Sequence, residues 1–256
     1  RAVRVLGEVP LVAAEDTRSA RKLLARYAVS ARLLSYNEHN ARARTPSILR
    51  ALEAGDVAVI SDAGMPGISD PGHDLVVAAI AAGHHVVPIP GASAVIAAVA
   101  ASGLPSRRFH YLGFLPRQFG PRRRALINAA ASVATLVVYE SPHRLRATLS
   151  DALAALGDRR IAVARELTKL YEEIWRGSIS GALEHFGEPR GEFTLVIEGG
   201  LDAPAHAAQD DVHDRIAELR RAGVPAKKAI AELVRRQGVS RRDAYRLWHI
   251  GDAEGV

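Results

Sequence analysis

The sequence predicts an α/β protein, a parallel sheet followed by a mixed one, with a small helix-turn-helix-like appendage at its C-terminal end. Three observations carry this. Short apolar runs alternate with amphipathic stretches through the first hundred residues, the rhythm of βα units. Strands then continue past residue 118, but those around Glu173 and Phe193 have no long helix between them, which favours a mixed sheet. Between Val212 and Ile250, three short helical patterns carry ten Lys/Arg against four Asp/Glu.

In chain order, Leu11 to Ala14, Arg32 to Ser35, Val57 to Ile60 and Val86 to Ile89 read as strands. Thr17 to Tyr27, Thr45 to Ala54, Pro71 to Ala82 and Ala92 to Ser102 read as the helices between them, several ending at a glycine as a C-cap does. A parallel sheet covered by helices follows, forming an N-terminal domain over 1–108. Gly103-Leu104-Pro105-Ser106 and Gly113-Phe114-Leu115-Pro116 break the rhythm, and Arg122-Arg123-Arg124 opens a new helix. A second α/β domain over 109–200 takes its strands from Thr135 to Tyr139, Ile161 to Arg165, Glu173 to Arg176 and Phe193 to Glu198. Its best-defined helix has Ser141 as N-cap and Pro142 in the first turn, with Leu145, Leu149, Leu153 and Leu156 along one face. Gly199 to Asp211 reads as a linker. Val212 to Ala222, Pro225 to Gln237 and Ser240 to Ile250 form a basic helical domain over 212–256, where Gln237-Gly238-Val239-Ser240 gives a helix-turn-helix outline.

Composition narrows the function. Hydrophobic residues make up 48% of the chain, yet no apolar run approaches the roughly 18 to 20 residues of a membrane span. With no cysteine there is neither a disulfide framework nor a thiolate metal site, and a cytoplasmic location is the expectation. The ten histidines are scattered without H-E-x-x-H spacing, so no metal is expected. G-x-G-x-x-G, Walker and G-x-S-x-G patterns are also absent. The formal charge of +6 equals the excess in the C-terminal helices alone, and it favours a polyanionic partner there.

Polar groups gather at the strand ends. Ser61 to Gly72 follows the strand Val57 to Ile60 without a break and packs three glycines, two prolines and two aspartates into twelve residues. Such a loop lets backbone N–H groups approach a ligand closely, at the sheet edge where open α/β folds bind ligands. Glu15-Asp16-Thr17-Arg18 belongs to the same edge. These residues can bind hydroxyls or phosphate; equally, Asp16 can be a helix N-cap and Arg18 a surface residue. Pro90-Gly91-Ala92-Ser93-Ala94 places a small-residue turn at a helix N-terminus. Tyr139-Glu140-Ser141-Pro142-His143-Arg144 and Arg165-Glu166-Leu167-Thr168-Lys169 end two further strands, although Glu166 and Lys169 could be only a surface ion pair worth about 0.2 to 0.5 kcal/mol.

Taken with Tyr36-Asn37-Glu38-His39-Asn40 and Phe114-Leu115-Pro116, these motifs resemble RsmI, the ribosomal RNA small subunit methyltransferase I family of the tetrapyrrole methylase superfamily, over essentially the whole chain. The resemblance implies two α/β domains with S-adenosyl-L-methionine between them, a homodimer, and 2′-O-methylation of a cytidine ribose in 16S rRNA of the small ribosomal subunit. It makes Asp62, Gly64, Met65, Ser93 and Ala94 cofactor-binding residues, with Tyr139 and Ala164 as lesser ones. Two departures stand out. Met65 occupies a position where the family usually has threonine, so only a backbone role carries over. The family also opens with a strand and a Thr-Pro-Ile-Gly-Asn loop that nothing before Arg1 supplies, from which weaker cofactor binding is expected.

Transfer to a ribose oxygen needs a base, because the alcohol is nearly un-ionised at neutral pH. Glu140 and Glu166 are the candidate bases, with Lys169 stabilising negative charge on the oxygen. Arg18, His39 and Arg144 are candidates for phosphate or ribose contacts, and the basic C-terminal helices for rRNA. Two other readings remain open on the residues: a porphyrinoid methyltransferase of the same fold, and a ligand-sensing DNA-binding regulator.

Overall fold

Leu11–Ala14 (β1) is buried along its whole length, as the central strand of a parallel sheet must be. Arg32–Ser35 (β2) and Val57–Ile60 (β3) pair with it on either side, both parallel, giving the order β2-β1-β3. The computed structural model describes residues 1–200, 215–237 and 241–250, and the chain divides into two compact units, 1–200 and 201–256. Around the first sheet run Ala2–Glu8 (α1), Thr17–Arg26 (α2), Ala41–Leu52 (α3) and His73–Ala81 (α4).

One element was not expected, and two expectations need correction. Helix α1 had no counterpart in the sequence reading. Helix α3 begins four residues before Thr45, because the Asn37–Asn40 turn starts it, and it runs through Pro46; Thr45 Oγ1 donates to the Ala41 carbonyl at 2.9 Å. Val86 to Ile89 forms no ladder, and Val86 and Val87 are 46% and 61% exposed. A β-branched run becomes a strand only where a neighbouring strand accepts its hydrogen bonds.

The second sheet has the order β4-β5-β8-β6-β7. It is built from Phe109–Phe114 (β4), Thr135–Glu140 (β5), Arg160–Arg165 (β6), Glu173–Ser178 (β7) and Phe193–Ile197 (β8). Only β4 and β5 pair in parallel; β5 with β8, β8 with β6 and β6 with β7 are antiparallel, so the sheet is mixed as expected. Strand β4 escaped the sequence reading because its register breaks between Tyr111 and Phe114, where Gly113 takes a φ of 64°.

Period-2 alternation sorts this sheet's two faces. Leu136, Val138, Ile161, Val163, Leu195 and Ile197 pack beneath Phe119–Ala129 (α6), Pro142–Leu156 (α7) and Ile179–His185 (α8). Val137, Ala162, Ala164 and Val196 pack beneath Ala94–Ser102 (α5). Arginines close the helix ends. Arg159 donates to the carbonyls of Leu156, Ala130 and Glu198, and Arg176 to those of Ala101 and Ser102 at the end of α5. Arg122 and Asp151 tie α6 to α7 through a buried 2.6 Å ion pair. Trp175 of β7 stacks on His185, and Gly177 lies so close that a methyl group there would meet the indole at 2.5 Å.

The C-terminal unit has helical residues 215–221 (α9), Ala226–Gln237 (α10) and Arg241–Ile250 (α11). Ile216, Leu219, Ala229, Leu233, Ala244 and Trp248 form its core, with the Arg220 guanidinium 5.3 Å from the Trp248 ring centre. The expected linker beyond Gly200 and the Ser240 cap lie outside the described residues. No helix among the described residues is long and apolar enough to cross a membrane.

Candidate active site

Strand β3 delivers the chain into the Ser61–Gly72 loop, whose path uses positive φ at Gly64, Gly67, Ser69 and Gly72. Ser69, at φ 59°, is the non-glycine among them, and holding it there costs of order 1 kcal/mol, so the surroundings must fix it. They do so from two strands. Glu15, at the end of β1, accepts the Asp62 backbone N–H at 3.2 Å, and Ser69 Oγ shares a 2.5 Å hydrogen bond with Tyr111 OH of β4. The Pro90–Ala94 turn closes from a third side. A methyl group at Gly91 would lie 3.5 Å from Met65 Sδ, and one at Gly64 would lie 3.5 Å from the Ala92 carbonyl oxygen. Ser93 then caps α5, and its Oγ accepts from Ile96 N–H at 3.5 Å. Gly64 and Met65 of one expected stretch thus meet Ala92 and Gly91 of the other, with Asp62, Ser93 and Ala94 next to these contacts in sequence.

Asp70 borders a cavity of about 270 Å³ formed with Tyr36, Glu38, Ala41 and the start of α4. Partial burial first, and then the charges of Glu15, Asp62 and Glu192, push its carboxyl up to about 6 against a hydrogen bond from Ser61. Tyr139 stands beside this loop with Tyr111 edge-on at 5.2 Å and Phe114 tilted at 5.5 Å. Burial raises both phenols, Tyr139 to about 12, so both remain neutral near pH 7.

Glu166 and Thr168 take φ values of 49° and 67° in the loop after β6. Glu166 Oε1 accepts from Lys169 Nζ at 3.0 Å and from Glu192 N–H at 2.9 Å, while Lys169 also reaches Glu192 Oε2 at 2.6 Å. These donors hold the Glu166 carboxyl below its ordinary range, with the Glu192 N–H as the largest cause, and the two carboxylates raise Lys169. Gly191 makes the arrangement possible, since a methyl group there would lie 2.4 Å from Glu166 Cγ. Glu192 relates this loop to the first: it binds Lys169 and its charge acts on Asp70.

Other expected residues fall elsewhere. Glu140 is displaced from the role of base, because its side chain has 0% exposure and its oxygens accept from Ser141 N–H at 2.9 Å and Thr148 Oγ1 at 2.6 Å. Arg144 lies 3.3 Å from Glu140 and donates to the Leu115 carbonyl, so it braces the 114–116 loop rather than facing a ligand. Ala164 is buried beneath α5, with its methyl group in the core. Arg18 folds back onto Asp16, which caps α2 by accepting the Arg18 N–H and is held down to about 2 chiefly by the guanidinium. Arg18 still feels Asp62 and so stays at this edge. His39 is exposed, its backbone N–H bound by Asn37 Oδ1. Sequence reasoning missed Tyr111 and Glu192, and it left Asp70 without a role although the residue stood in the most distinctive loop.

Residues 1–182 match the family model of Tetrapyrrole (Corrin/Porphyrin) Methylases. The ribosomal RNA small subunit methyltransferase I of Halalkalibacterium halodurans is 43% identical, over 97% of this chain and 89% of its own. That of Synechocystis sp. is 43% identical over 100% and 93%, and that of Bacillus subtilis 39% over 98% and 88%. Among solved structures, the methyltransferase CobJ gives a TM-score of 0.58 at 22% identity, over 77% of this chain and 85% of its own. Uroporphyrin-III C-methyltransferase from Thermus thermophilus, complexed with S-adenosyl homocysteine, gives 0.55 at 20%, over 77% and 89%. At these identities the structural likeness establishes the fold.

Proposed function

We propose, for a chain that belongs to the ribosomal RNA small subunit methyltransferase I family of the tetrapyrrole methylases, methyl transfer from S-adenosyl-L-methionine to a cytidine ribose 2′-oxygen in 16S rRNA. The observation that carries this reading is the meeting of two glycine-bearing loops, Ser61–Gly72 and Pro90–Ala94, at the N-terminus of α5. The cofactor is a zwitterion with an added sulfonium charge, and these residues suit it. The missing side chains at Gly64 and Gly91 let the two loops approach each other closely, the α5 N-terminus favours its carboxylate, and Glu15 and Asp62 favour its cationic groups. Asp62, Gly64, Met65, Ser93 and Ala94 would hold it, with Tyr139 alongside. Bound there, it supplies an electrophilic methyl group.

The chain's own part is positioning and charge. Holding the ribose oxygen in line with the methyl carbon can account for about 7 to 11 kcal/mol of the barrier. Lys169, fixed between Glu166 and Glu192, provides positive charge where the oxygen becomes negative. Arg18 and His39, both exposed, are suited to phosphates at the rim. The basic 212–250 region is suited to gripping rRNA in a salt-dependent way. A homodimer acting in the cytoplasm on the small ribosomal subunit completes the proposal.

The test is transfer of tritiated methyl from the cofactor to purified small ribosomal subunits, with naked rRNA, DNA and a porphyrinoid as comparisons. Label on a cytidine 2′-oxygen of the subunit's RNA is the expected result. Label on the porphyrinoid alone, or on none of the four, would overturn the reading.

A further inference from the structure

We propose that the surface formed by β4 and the start of α6 holds a single-stranded stretch of RNA and leads it toward the candidate site, a contact separate from the C-terminal helices. The choice of rRNA as that strand rests on the methyltransferase reading above. Charge points to it first. No Asp or Glu occurs from 75 to 139, while Arg107, Arg108, Arg117, Arg122, Arg123 and Arg124 all fall within 107–124. Arg122 is neutralised by the buried Asp151. The other five are exposed, and none of them is in an ion pair with an acidic side chain among the described residues. The whole-chain charge of +6 hides this stretch because acidic residues elsewhere offset it.

Aromatic rings stand among these arginines. Phe114 ends β4 with 54% exposure, and Phe119 opens α6 with 60%. The Arg123 guanidinium lies 6.0 Å from the centre of the Phe119 ring, one turn further along α6. Rings stack on unpaired bases whatever their sequence, and guanidinium groups pair with the phosphates between them. The combination fits a single strand better than a duplex, whose base faces are hidden in the stack. A second copy of the chain would bring the same unneutralised arginines to the same place, which disfavours a two-fold contact through this surface.

Topology brings this surface to the site. Strand β4 is an end strand, with one edge unpaired among the described residues. It runs parallel to β5, and β5 and β6 are both antiparallel to β8, so β4, β5 and β6 finish at the same end of the sheet. Phe114 therefore emerges beside Tyr139, at 5.5 Å, at the end that also bears Glu166 and Lys169. Arg107 and Arg108 lie at the other end of this six-residue strand, roughly 20 Å away at the rise of a β-strand, so an RNA strand along the edge meets cations at both ends. The 115–118 link to α6 is pinned by two arginines. Arg144 donates to the Leu115 carbonyl at 2.6 Å, and Arg122 to the Arg117 carbonyl at 3.2 Å. Phe114, Arg117 and Phe119 are thus presented on fixed backbone, which lowers the ordering cost of binding.

The experiment measures binding of the 256-residue chain to small ribosomal subunits, to a labelled single-stranded RNA and to its duplex across salt concentrations, with single-turnover methyl transfer and molecular mass in solution. The triple variant Arg117→Ala, Arg123→Ala, Arg124→Ala is expected to bind subunits and single strand about tenfold or more weakly. Its log–log salt slope should be shallower by about 2, and its transfer rate at saturating subunits within about threefold of normal. A charge-matched control, Arg21→Ala, Lys22→Ala, Arg26→Ala on the exposed face of α2, should stay within about threefold in affinity. Phe119→Leu keeps an apolar side chain but loses the flat ring, and should weaken single-strand binding roughly 5- to 100-fold; Phe119→Tyr keeps the ring and should stay within about twofold. Binding by the arginine variant within about twofold of normal, a loss no larger than the α2 control's, equal affinities of Phe119→Leu and Phe119→Tyr, or a fall in molecular mass overturns the inference. If the unsubstituted chain transfers no methyl group to subunits, the methyltransferase reading fails, whereas single-strand binding that the arginine variant loses would still uphold this surface as an RNA contact.

Discussion

Along β5, β6 and β8 almost every side chain is buried, and most of the core residues are at or near zero exposure. Strands β2 and β3 are mostly half-buried by contrast, and the 84–90 segment is largely exposed. Yet the smaller sheet carries the Ser61–Gly72 loop and Asp70. The contrast teaches where precision comes from. The loop is fixed less by the sheet it leaves than by the larger sheet it touches, through Ser69 with Tyr111 and through the turn that starts α5.

The hardest blow to that division would be struck in the larger sheet's frame. Asp151→Ala leaves the Arg122 charge buried and unpaired, and should cost about 3 to 5 kcal/mol, read by denaturant unfolding. Glu140→Gln should cost about 2 kcal/mol by weakening the ties to Thr148 and Arg144, yet leave the transfer rate per folded molecule within about twofold. A rate loss of a hundredfold would instead return Glu140 to the chemistry. Tyr111→Phe removes the clamp on Ser69 for about 1 kcal/mol of stability, and should slow transfer more than it weakens cofactor binding. Equal effects on both would show that the clamp serves binding alone.

The smallest effect concerns pH. The folded-state pKa of Asp70, about 6, lies above the ordinary 3.8. Its contribution to stability is therefore present below about pH 4 and lost as pH rises through 6. Asp70→Asn, neutral throughout, should melt about 2 °C higher than the unsubstituted chain at pH 7.5 and no higher at pH 4. That corresponds to less than about 1 kcal/mol once solvent screening of this half-exposed group is allowed for.

How much was legible in the sequence follows from which interactions are local. Short apolar runs reveal β1, β2, β3, β5, β6, β7 and β8, because burial on a sheet leaves a period-2 or continuous apolar pattern. The bulged β4 leaves no such pattern, and 86–89 has the pattern without a partner. Loops at strand ends could be read as a site because glycine, proline and carboxylates cluster there in sequence. Which carboxylate does what could not be read, since it depends on contacts across long stretches of chain. Glu166 is quenched by Glu192, 26 residues away, and Asp62 is held by Glu15, 47 residues away. Glu140 looked available because nothing in Tyr139-Glu140-Ser141 announces Thr148 and Arg144 closing over it.

Trp175 packs against His185 and Phe186 in the 1–200 unit, and Trp248 lies in the core of the C-terminal unit; the chain has no other tryptophan and no cysteine. Each unit therefore carries its own optical reporter. Replacing either indole by phenylalanine leaves a single indole which, excited above the absorption of the six tyrosines, reports by its red shift the melting of one unit alone. Any cysteine introduced on the surface becomes a unique attachment point for a dye, ready for energy-transfer measurements during RNA engagement.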